Sequence, residues 1–516
     1  MGDVETPISD LILKHLPALP AAIVVVGGEP ADAYSTHLGS AGYRVLRYSS
    51  SDPPIDPSIE NGEGGMGRHL NDFSGHEKSD RIETACDAIL LFGFSNGVDP
   101  LMRAFYEVRG LLGERGVVLI CYGMKDDPLM GQDPGTRYPS DVIAALYESG
   151  FAIRLNEWIG VDVRNSCDRE EQNRAGCYVV AGKKDGVFVR GYEEGDETDI
   201  LTMFKEVFHV DRTLEHWYWK FRDNPFGAYR VAEAFAADGR LAGHYSGYPV
   251  PFHASAREAF LSYQIGDIMT RPGFRQVGLA KTSVLGRITD YFHHRFCLGT
   301  VPFMYGFITG NHKRFGERFL RYAYMSEVPY YVLDPAGLRL NAKEKASAFL
   351  AGFSVKKVTE MTPEFDVFFR EASEGYGLLV KRDAAYLKWR YLDCPDNRHT
   401  LFAVWRFGRL VGWGAFSRRG DVLMWGDALF RKTTDVRTVK HLLYHVLSRY
   451  SPTVTRIEGW FSPVPHWWTR LLRDIGFSAT DEPNGLVSGV TIFDRSFSLK
   501  WIEKRLYYTM GDSDLF

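Results

Sequence analysis

Two stretches of this 516-residue chain follow the same plan, and this internal repeat constrains the fold more than any other feature. Matches at three places in one order predict a tandem duplication. Each copy is predicted to contain a helix, a tryptophan-bearing stretch, a hairpin, a long strand and another helix. Because the tryptophan recurs, it is predicted to be a core residue of both copies. The matched segments are Trp219 to Pro225 with Trp389 to Pro395, 239–243 with 408–412, and 266–267 with 426–427.

A glycine-containing loop follows the long strand in the first copy only. Its sequence is Arg275-Gln276-Val277-Gly278-Leu279-Ala280, whereas 430–437 in the second copy contains no glycine. Gly278 and Ala280 leave the backbone bare enough for a diphosphate to approach, and the free N–H groups of the following helical turn point at the charge. The loop therefore predicts a phosphate-bearing cofactor in the first copy.

Residues 189–335 and 366–500 resemble the GCN5-related N-acetyltransferase superfamily, in a tandem arrangement. The motif that carries this resemblance is Arg275-x-x-Gly278-x-Ala280. The resemblance implies a mixed, bent sheet whose central strands separate, with an acyl-CoA in the gap and an amine approaching from the other side. It implies acetyl-CoA or another acyl-CoA as cofactor. The implied cofactor-binding residues are those of the loop together with Ile268, Met269, Thr270, Lys281 and Asn311.

Acyl transfer to an amine needs a polarised thioester carbonyl and a proton for the departing sulfur. Asp267 is the nearest carboxylate and a candidate base, although its recurrence as Asp427 favours a structural role. The resemblance implies a tyrosine acid after Asn311, but the usual spacing falls on an arginine. The acid therefore remains open between Tyr322, which is the first choice, and Tyr324 or Tyr305.

The first third of the chain alternates short apolar runs with helix-compatible stretches. This order predicts a doubly wound α/β sheet with a terminal antiparallel pair. Residues 18–185 resemble a class I S-adenosylmethionine-dependent methyltransferase domain through DAILLF and RGLLGERGVVLICYG. The predicted strands are 21–27, 43–48, 87–92, 117–122, 150–158 and 176–182, and the predicted helices are 100–112 and 140–149.

The first third departs from the methyltransferase pattern where the cofactor's ribose would bind. The family ends its second strand with a carboxylate, but here Tyr48 is followed by three serines and Asp52 comes several positions late. A carboxylate is needed there to accept hydrogen bonds from the sugar. Adenosylmethionine binding is therefore doubtful, and a degenerate structural or docking domain is expected.

Composition narrows the remaining possibilities. A net charge of −4 gives no basic excess for nucleic acid, and the first twenty residues are too briefly apolar for a signal peptide or membrane span. A cytoplasmic protein is expected, without membrane or metal. The predicted domains are 1–186, 187–335 with the loop, a linker at 336–365, and 366–516 without the loop.

The sequence therefore predicts an α/β and α+β chain: a Rossmann-like methyltransferase-type sheet followed by two GNAT-type mixed sheets. Its predicted function is acyl-CoA-dependent N-acyl transfer to a small-molecule amine or carrier-bound intermediate. Two alternatives remain open: a methyltransferase fused to a GNAT-like binding module, and a non-catalytic assembly protein. The acceptor, the acyl-chain length and the oligomeric state stay open.

Overall fold

The chain divides into two units, each described by itself below. The first comprises Met1–Gly191, Ala232–Gly243 and Thr270–Arg295, and the second comprises Tyr192–Val231, His244–Met269 and Phe296–Phe516. The described residues of this computed structural model are 16, 21–26, 38–48, 71–72, 86–92, 105, 109, 112–122, 139–159, 176–183, 187–255, 257–277, 282–309, 313–338, 351–396, 398–450 and 453–516.

A seven-stranded sheet forms the N-terminal part of the first unit, in the order β3-β2-β1-β4-β5-β7-β6. Strands β2, β1, β4 and β5 run parallel, and β7 is antiparallel to both β5 and β6. The sheet therefore contains the expected terminal antiparallel pair. Its strands are β1 (Ala22–Val26), β2 (Arg44–Tyr48), β3 (Asn71–Asp72), β4 (Cys86–Phe92), β5 (Leu112–Tyr122), β6 (Phe151–Ile159) and β7 (Gly176–Lys183).

The sheet is held by apolar side chains that alternate along its parallel strands. Ile23, Val25, Ala88 and Leu90 are fully buried in one core cluster, as expected for strands covered on their faces. The predicted strands are confirmed, with β5 beginning at Leu112, earlier than predicted. The predicted helix 100–112 lies mostly outside the described residues, and the assignment to the methyltransferases stays a prediction.

Two helices of the first unit are tied together by reciprocal side-chain bonds. Helix α1 (Pro139–Glu148) confirms the predicted helix, and α4 (Val284–Phe292) is the helix after the predicted cofactor loop. The Tyr147 hydroxyl donates to Asp290 at 2.9 Å, and the Tyr291 hydroxyl donates to Glu148 at 2.5 Å. Two further short strands, β8 (Phe188–Gly191) and β9 (Val231–Phe235), pair antiparallel.

The second unit holds most of both repeats. The first copy supplies α2 (Glu197–Phe208), α3 (Leu214–Trp217), a π-helical turn (Tyr218–Arg222), β10 (Leu241–Ala254), β11 (Phe260–Thr270), β12 (Phe303–Thr309), α5 (Lys313–Phe319), β13 (Ala323–Glu327) and β14 (Tyr330–Leu333). The second copy supplies β15 (Phe353–Lys357), α6 (Pro363–Ser373), β16 (Leu378–Val380), α7 (Ala384–Leu387), a π-helical turn (Lys388–Leu392), β17 (Thr400–Arg406), β18 (Arg409–Arg419), β19 (Val422–Phe430), α8 (Val436–Tyr450), β20 (Arg456–Trp460), α9 (His466–Ile475), β21 (Ser478–Thr480), β22 (Leu486–Ile492), α10 (Leu499–Glu503) and β23 (Leu506–Tyr507).

Each copy contributes strands to the sheet of the other. One sheet of the second unit contains the order β13-β22-β12-β11-β10-β16-β23, and the other has the order β15-β17-β18-β19-β20-β14-β21. Strand β22 of the second copy pairs antiparallel with β12 and β13 of the first, while β14 of the first pairs with β20 and β21 of the second. Each mixed sheet is therefore completed by the other copy.

Aromatic side chains form the common core of these two sheets. Trp219 and Trp389 are 8% and 3% exposed and belong to one cluster. Their rings stack with centroids 5.2 Å apart. The prediction that this tryptophan is a core residue of both copies is confirmed.

Candidate functional site

The central parallel strands of the first copy separate. Strands β11 and β12 pair only at Tyr263 with Met304 and at Gln264 with Tyr305, although β11 continues to Thr270 and β12 to Thr309. Beyond Gln264 the facing main-chain groups of these two described strands have no ladder between them. Backbone groups left unpaired inside a protein need another partner, so this opening is a candidate ligand site.

The second copy repeats the separation but fills it with its own side chains. Strand β19 pairs with β20 from Val422 to Met424 and then continues to Phe430 paired with β18 on its other edge. The Trp425 ring lies 5.1 Å from Phe461 and 5.9 Å from Trp468, measured between centroids. That only the first copy binds a cofactor stays a prediction.

A short turn follows β11 in the first unit. Pro272–Phe274 forms one turn of 3₁₀ helix, and the Arg275 Nε donates to the Thr270 carbonyl at 3.2 Å. Arg275 and Gln276 are exposed, and Val277 is half-buried. Helix α4 then begins after Ser283, whose hydroxyl accepts from the Gly286 N–H at 3.0 Å. The predicted cofactor residues Gly278, Leu279, Ala280 and Lys281 lie outside the described residues.

Asp267 lies at the opening, and its carboxylate is paired with two cationic side chains. It adopts a left-handed backbone conformation, with φ of 53°, which is uncommon for a residue other than glycine. Its Oδ2 accepts from Arg212, and from Lys220 Nζ at 3.2 Å. Burial raises the pKa of Asp267, but Arg212 and Lys220 outweigh this and hold it well below its usual range. A carboxylate so well neutralised is a poor base, and the structural role is favoured.

The same ion pair occurs in the second copy. Arg382 Nε lies 3.0 Å from Asp427 Oδ1, with both side chains fully buried. Arg212 precedes Trp219 by the step that separates Arg382 from Trp389. Sequence reasoning matched the tryptophans and the aspartates but missed the arginines. They could have been found by extending the alignment of Trp219 with Trp389 to the residues seven positions before each tryptophan.

Tyr322 lies beside the point where the strands begin to separate. Its hydroxyl is 2.7 Å from the Tyr245 hydroxyl, which also lies 4.0 Å from Met304 Sδ on β12. Burial raises the pKa of Tyr322 well above its usual range, and the bond with Tyr245 offsets only part of this. Tyr322 is therefore protonated at neutral pH and can donate a proton. Tyr245 was not predicted, and no sequence signal pointed to it.

The other candidate acids occupy different surroundings. Tyr305 points into the aromatic core, with its ring 5.5 Å from that of Phe252, and its hydroxyl has no partner among the described residues. Tyr324 lies on β13 against α5, and burial raises its pKa to about 12. Ile268 and Thr270 are half-buried and Met269 is buried on β11. Asn311 lies outside the described residues.

The described part of the chain contains no cluster of histidine, cysteine, aspartate and glutamate that could hold a metal ion. No helix within the described ranges is long and apolar enough to cross a membrane.

Several solved structures are similar to this chain in fold. One is a probable N-acyltransferase from Enterococcus faecalis, 12% identical over 61% of this chain and 74% of its own, with a TM-score of 0.44. A GCN5-related N-acetyltransferase from Anabaena variabilis is 11% identical over 60% of this chain and 73% of its own, also with a TM-score of 0.44. A tandem GNAT protein from the clavulanic acid biosynthesis pathway is 13% identical over 60% of this chain and 98% of its own, with a TM-score of 0.38.

These likenesses do not establish a family for the chain, since every quoted TM-score is below 0.5. No protein-family model matches the sequence. No curated protein matches it either.

Proposed function

We propose that the chain is an acyl-CoA-dependent N-acyltransferase of the GCN5-related type, acting on the amine of a small molecule or a carrier-bound intermediate. The observation that carries this proposal is the separation of β11 from β12 after Gln264, followed by the turn that begins the Arg275-x-x-Gly278-x-Ala280 motif. Parallel strands that separate, followed in the sequence by a loop suited to a diphosphate, are what the binding of an extended acyl-CoA requires.

The opening offers main-chain partners for the cofactor. An acyl-pantetheine chain contains amides, which pair with an exposed strand as a peptide does when it adds to a sheet edge. Main-chain N–H groups at Ile268–Thr270 would donate to the thioester carbonyl and stabilise the negative charge that develops there. The diphosphate would lie on the loop, with Arg275 providing a guanidinium for it.

Tyr322 is the residue we assign to protonating the departing thiolate. The Tyr245 hydroxyl at 2.7 Å orients the proton-bearing hydroxyl of Tyr322. General acid catalysis needs a proton donor within reach of the leaving atom, and Tyr245 contacts Met304 on the strand that borders the opening. Asp267 does not act as a base in this scheme, since its carboxylate is paired with Arg212 and Lys220.

Calorimetric titration tests the proposal. We expect binding of acetyl-CoA, and we expect Gly278→Val to weaken it by about tenfold or more, ~1.4 kcal/mol, because a side chain would block the diphosphate. Gly273→Val is the matched control, because a Cβ at Gly273 meets nothing within 4 Å. Equal acetyl-CoA affinity in the two variants would contradict the assignment of 275–280 as the diphosphate-binding loop.

A parallel titration with S-adenosylmethionine separates the alternatives. Binding of adenosylmethionine without acetyl-CoA would favour a methyltransferase fused to a GNAT-like module. Binding of neither would favour a non-catalytic assembly protein.

A further inference from the structure

A cavity of about 350 Å³ lies within the second unit where the two copies meet. Trp219 and Lys220 line it from the first copy, and Arg390, Arg418 and Arg419 line it from the second. Its volume falls within the range of small-molecule sites, roughly 300–1,000 Å³. The cavity borders the opening, because Lys220 of its wall bonds Asp267 on β11, but the proposed transferase chemistry assigns it no role.

The acidic side chains of the cavity wall are already paired. Asp396 Oδ2 lies 3.1 Å from His216 Nδ1 and 3.4 Å from Arg398 Nε. Asp514 Oδ2 lies 3.5 Å from Lys220 Nζ. These carboxylates therefore leave little negative charge to offset the other arginines.

Within the described residues, Arg418 and Arg419 hydrogen-bond only to uncharged oxygens. Arg418 donates to the Gly420 carbonyl at 2.8 Å and to the Thr453 hydroxyl at 2.5 Å. Arg419 donates to the Leu515 carbonyl at 2.6 Å. A guanidinium has five N–H donors in a fork that suits carboxylate and phosphate groups. Both side chains are exposed and line the cavity, and each guanidinium has donors to spare.

A histidine and aromatic rings form the rest of the wall. His399 Nδ1 is buried and has no hydrogen-bond partner among the described residues. Burial, and then Arg390, lower the pKa of His399 to about 3, so its ring is neutral. The Phe516 ring lies 4.5 Å from it, centroid to centroid. A buried polar atom without a partner is unfavourable, and a ligand with a polar group would satisfy it.

We propose that this cavity binds a small organic anion, whose carboxylate or phosphate is held by the cavity-lining guanidinium of Arg418 or Arg419 and whose flat apolar body packs against Trp219 and Phe516. The charge pattern selects the anionic group, because the carboxylates of Asp396 and Asp514 in the wall are already paired. The aromatic lining selects the body, since ring faces pack best against flat groups. This site stands independently of the acyl-CoA proposal.

Calorimetry with three probes tests the site. Benzene-1,3-dicarboxylate and phenyl phosphate separate the two anion types, and benzene-1,3-dicarboxamide is the neutral control. We expect at least one anion to bind at millimolar concentration or below, and the dicarboxamide not to bind. Failure of both anions, or equal binding of the dicarboxamide, overturns the proposal.

Paired variants locate the binding. In Arg418→Gln/Arg419→Gln we expect the dissociation constant to rise by at least about tenfold, because charge-assisted bonds are lost. Arg437→Gln/Arg449→Gln removes the same charge from exposed arginines of α8 and should bind as the unchanged protein does. Arg418→Lys/Arg419→Lys, which keeps the charge, should bind more tightly than the glutamine pair. Equal affinity in the two glutamine pairs contradicts the site, with circular dichroism confirming that each variant is folded.

Discussion

The indole N–H of Trp219 donates to the main-chain carbonyl of Trp389 at 2.8 Å, and the indole of Trp389 donates back to the carbonyl of Trp219 at 3.1 Å. Each tryptophan lies in a π-helical turn, Tyr218–Arg222 or Lys388–Leu392. Equivalent residues of the two copies therefore bind each other reciprocally. The duplicated halves meet around this pair, and the anion cavity lies beside Trp219.

Trp219→Phe should destabilise the protein by about 1–3 kcal/mol, because the buried Trp389 carbonyl loses its donor while most of the ring packing remains. Urea unfolding followed by circular dichroism measures the change. Trp405→Phe is the control, since that half-buried indole bonds only to Glu364, at 3.4 Å. Equal losses in the two variants would mean that the reciprocal bonds add nothing to ring packing.

Asp267→Asn should destabilise the protein by about 3–5 kcal/mol, because it leaves Arg212 buried without a counter-charge and Lys220 with only Asp514, 3.5 Å away. Asp427→Asn should cost less than Asp267→Asn, since the buried Arg382 keeps Asp512 at 2.5 Å. Asp238→Asn, which breaks an exposed pair with Arg240, should cost least, because exposed ion pairs contribute little. Unfolding free energies from urea titrations compare the three.

The same variant distinguishes a structural Asp267 from a base. If Asp267 were the base, Asp267→Asn would retain stability and acetyl-CoA affinity while losing turnover. That result would contradict the role assigned here.

Asp512 should make stability fall as the pH rises from about 4 to about 7. Burial raises its pKa to about 6, with Arg382 opposing and Asp427 reinforcing the shift. A carboxyl whose folded pKa lies above the unfolded value of 3.8 stabilises fully below that value, and this stabilisation is lost as the pH passes through 6. Asp512→Asn should therefore remove part of the pH dependence in that window, measured by urea unfolding at several pH values.

Two comparisons check the sign of this effect. The exposed Asp481 gives a control, and Asp481→Asn should leave the slope unchanged. Asp267 should act in the opposite sense, because its lowered pKa gives stabilisation that is present above 3.8 and lost as the pH falls. An Asp512→Asn slope identical to that of the unchanged protein would contradict the prediction.

The repeat could be predicted from sequence because its markers are local. Tryptophan before proline, the hairpin glycines and Gly-Asp each have a fixed place in one copy, and each recurs in the other. The strands of the first unit were equally accessible, since short β-branched runs such as Ala22–Val26 end at turn residues. Such features can be recognised from residues that are neighbours in the sequence.

The placement of β14 and β22 in the sheet of the other copy could not be predicted, because it depends on pairing between distant segments. Tyr330 pairs with Trp460 and Phe303 with Ile492, and nothing near Tyr330 in sequence selects the other sheet. The position of the C-terminal segment could not be predicted for the same reason. Asp514 lies against Gly266, where an added Cβ would be 2.3 Å from its carboxylate. Only the folded chain shows that this glycine admits a side chain from so far away.

Tyr322→Phe should lower kcat by about 10²–10⁴-fold, because the departing thiolate loses its proton donor. The acetyl-CoA affinity should not change, since the hydroxyl contacts Tyr245 rather than a predicted cofactor-binding residue. An amino sugar, an amino acid and a polyamine are first tested as acceptors. Turnover is then measured with the amine that supports the reaction, as thiol release from acetyl-CoA. Tyr324→Phe is the rival variant and should keep most of the rate. If Tyr324→Phe loses the rate and Tyr322→Phe keeps it, the acid lies on the α5 side of β13, and the Tyr245–Tyr322 pair is only structural.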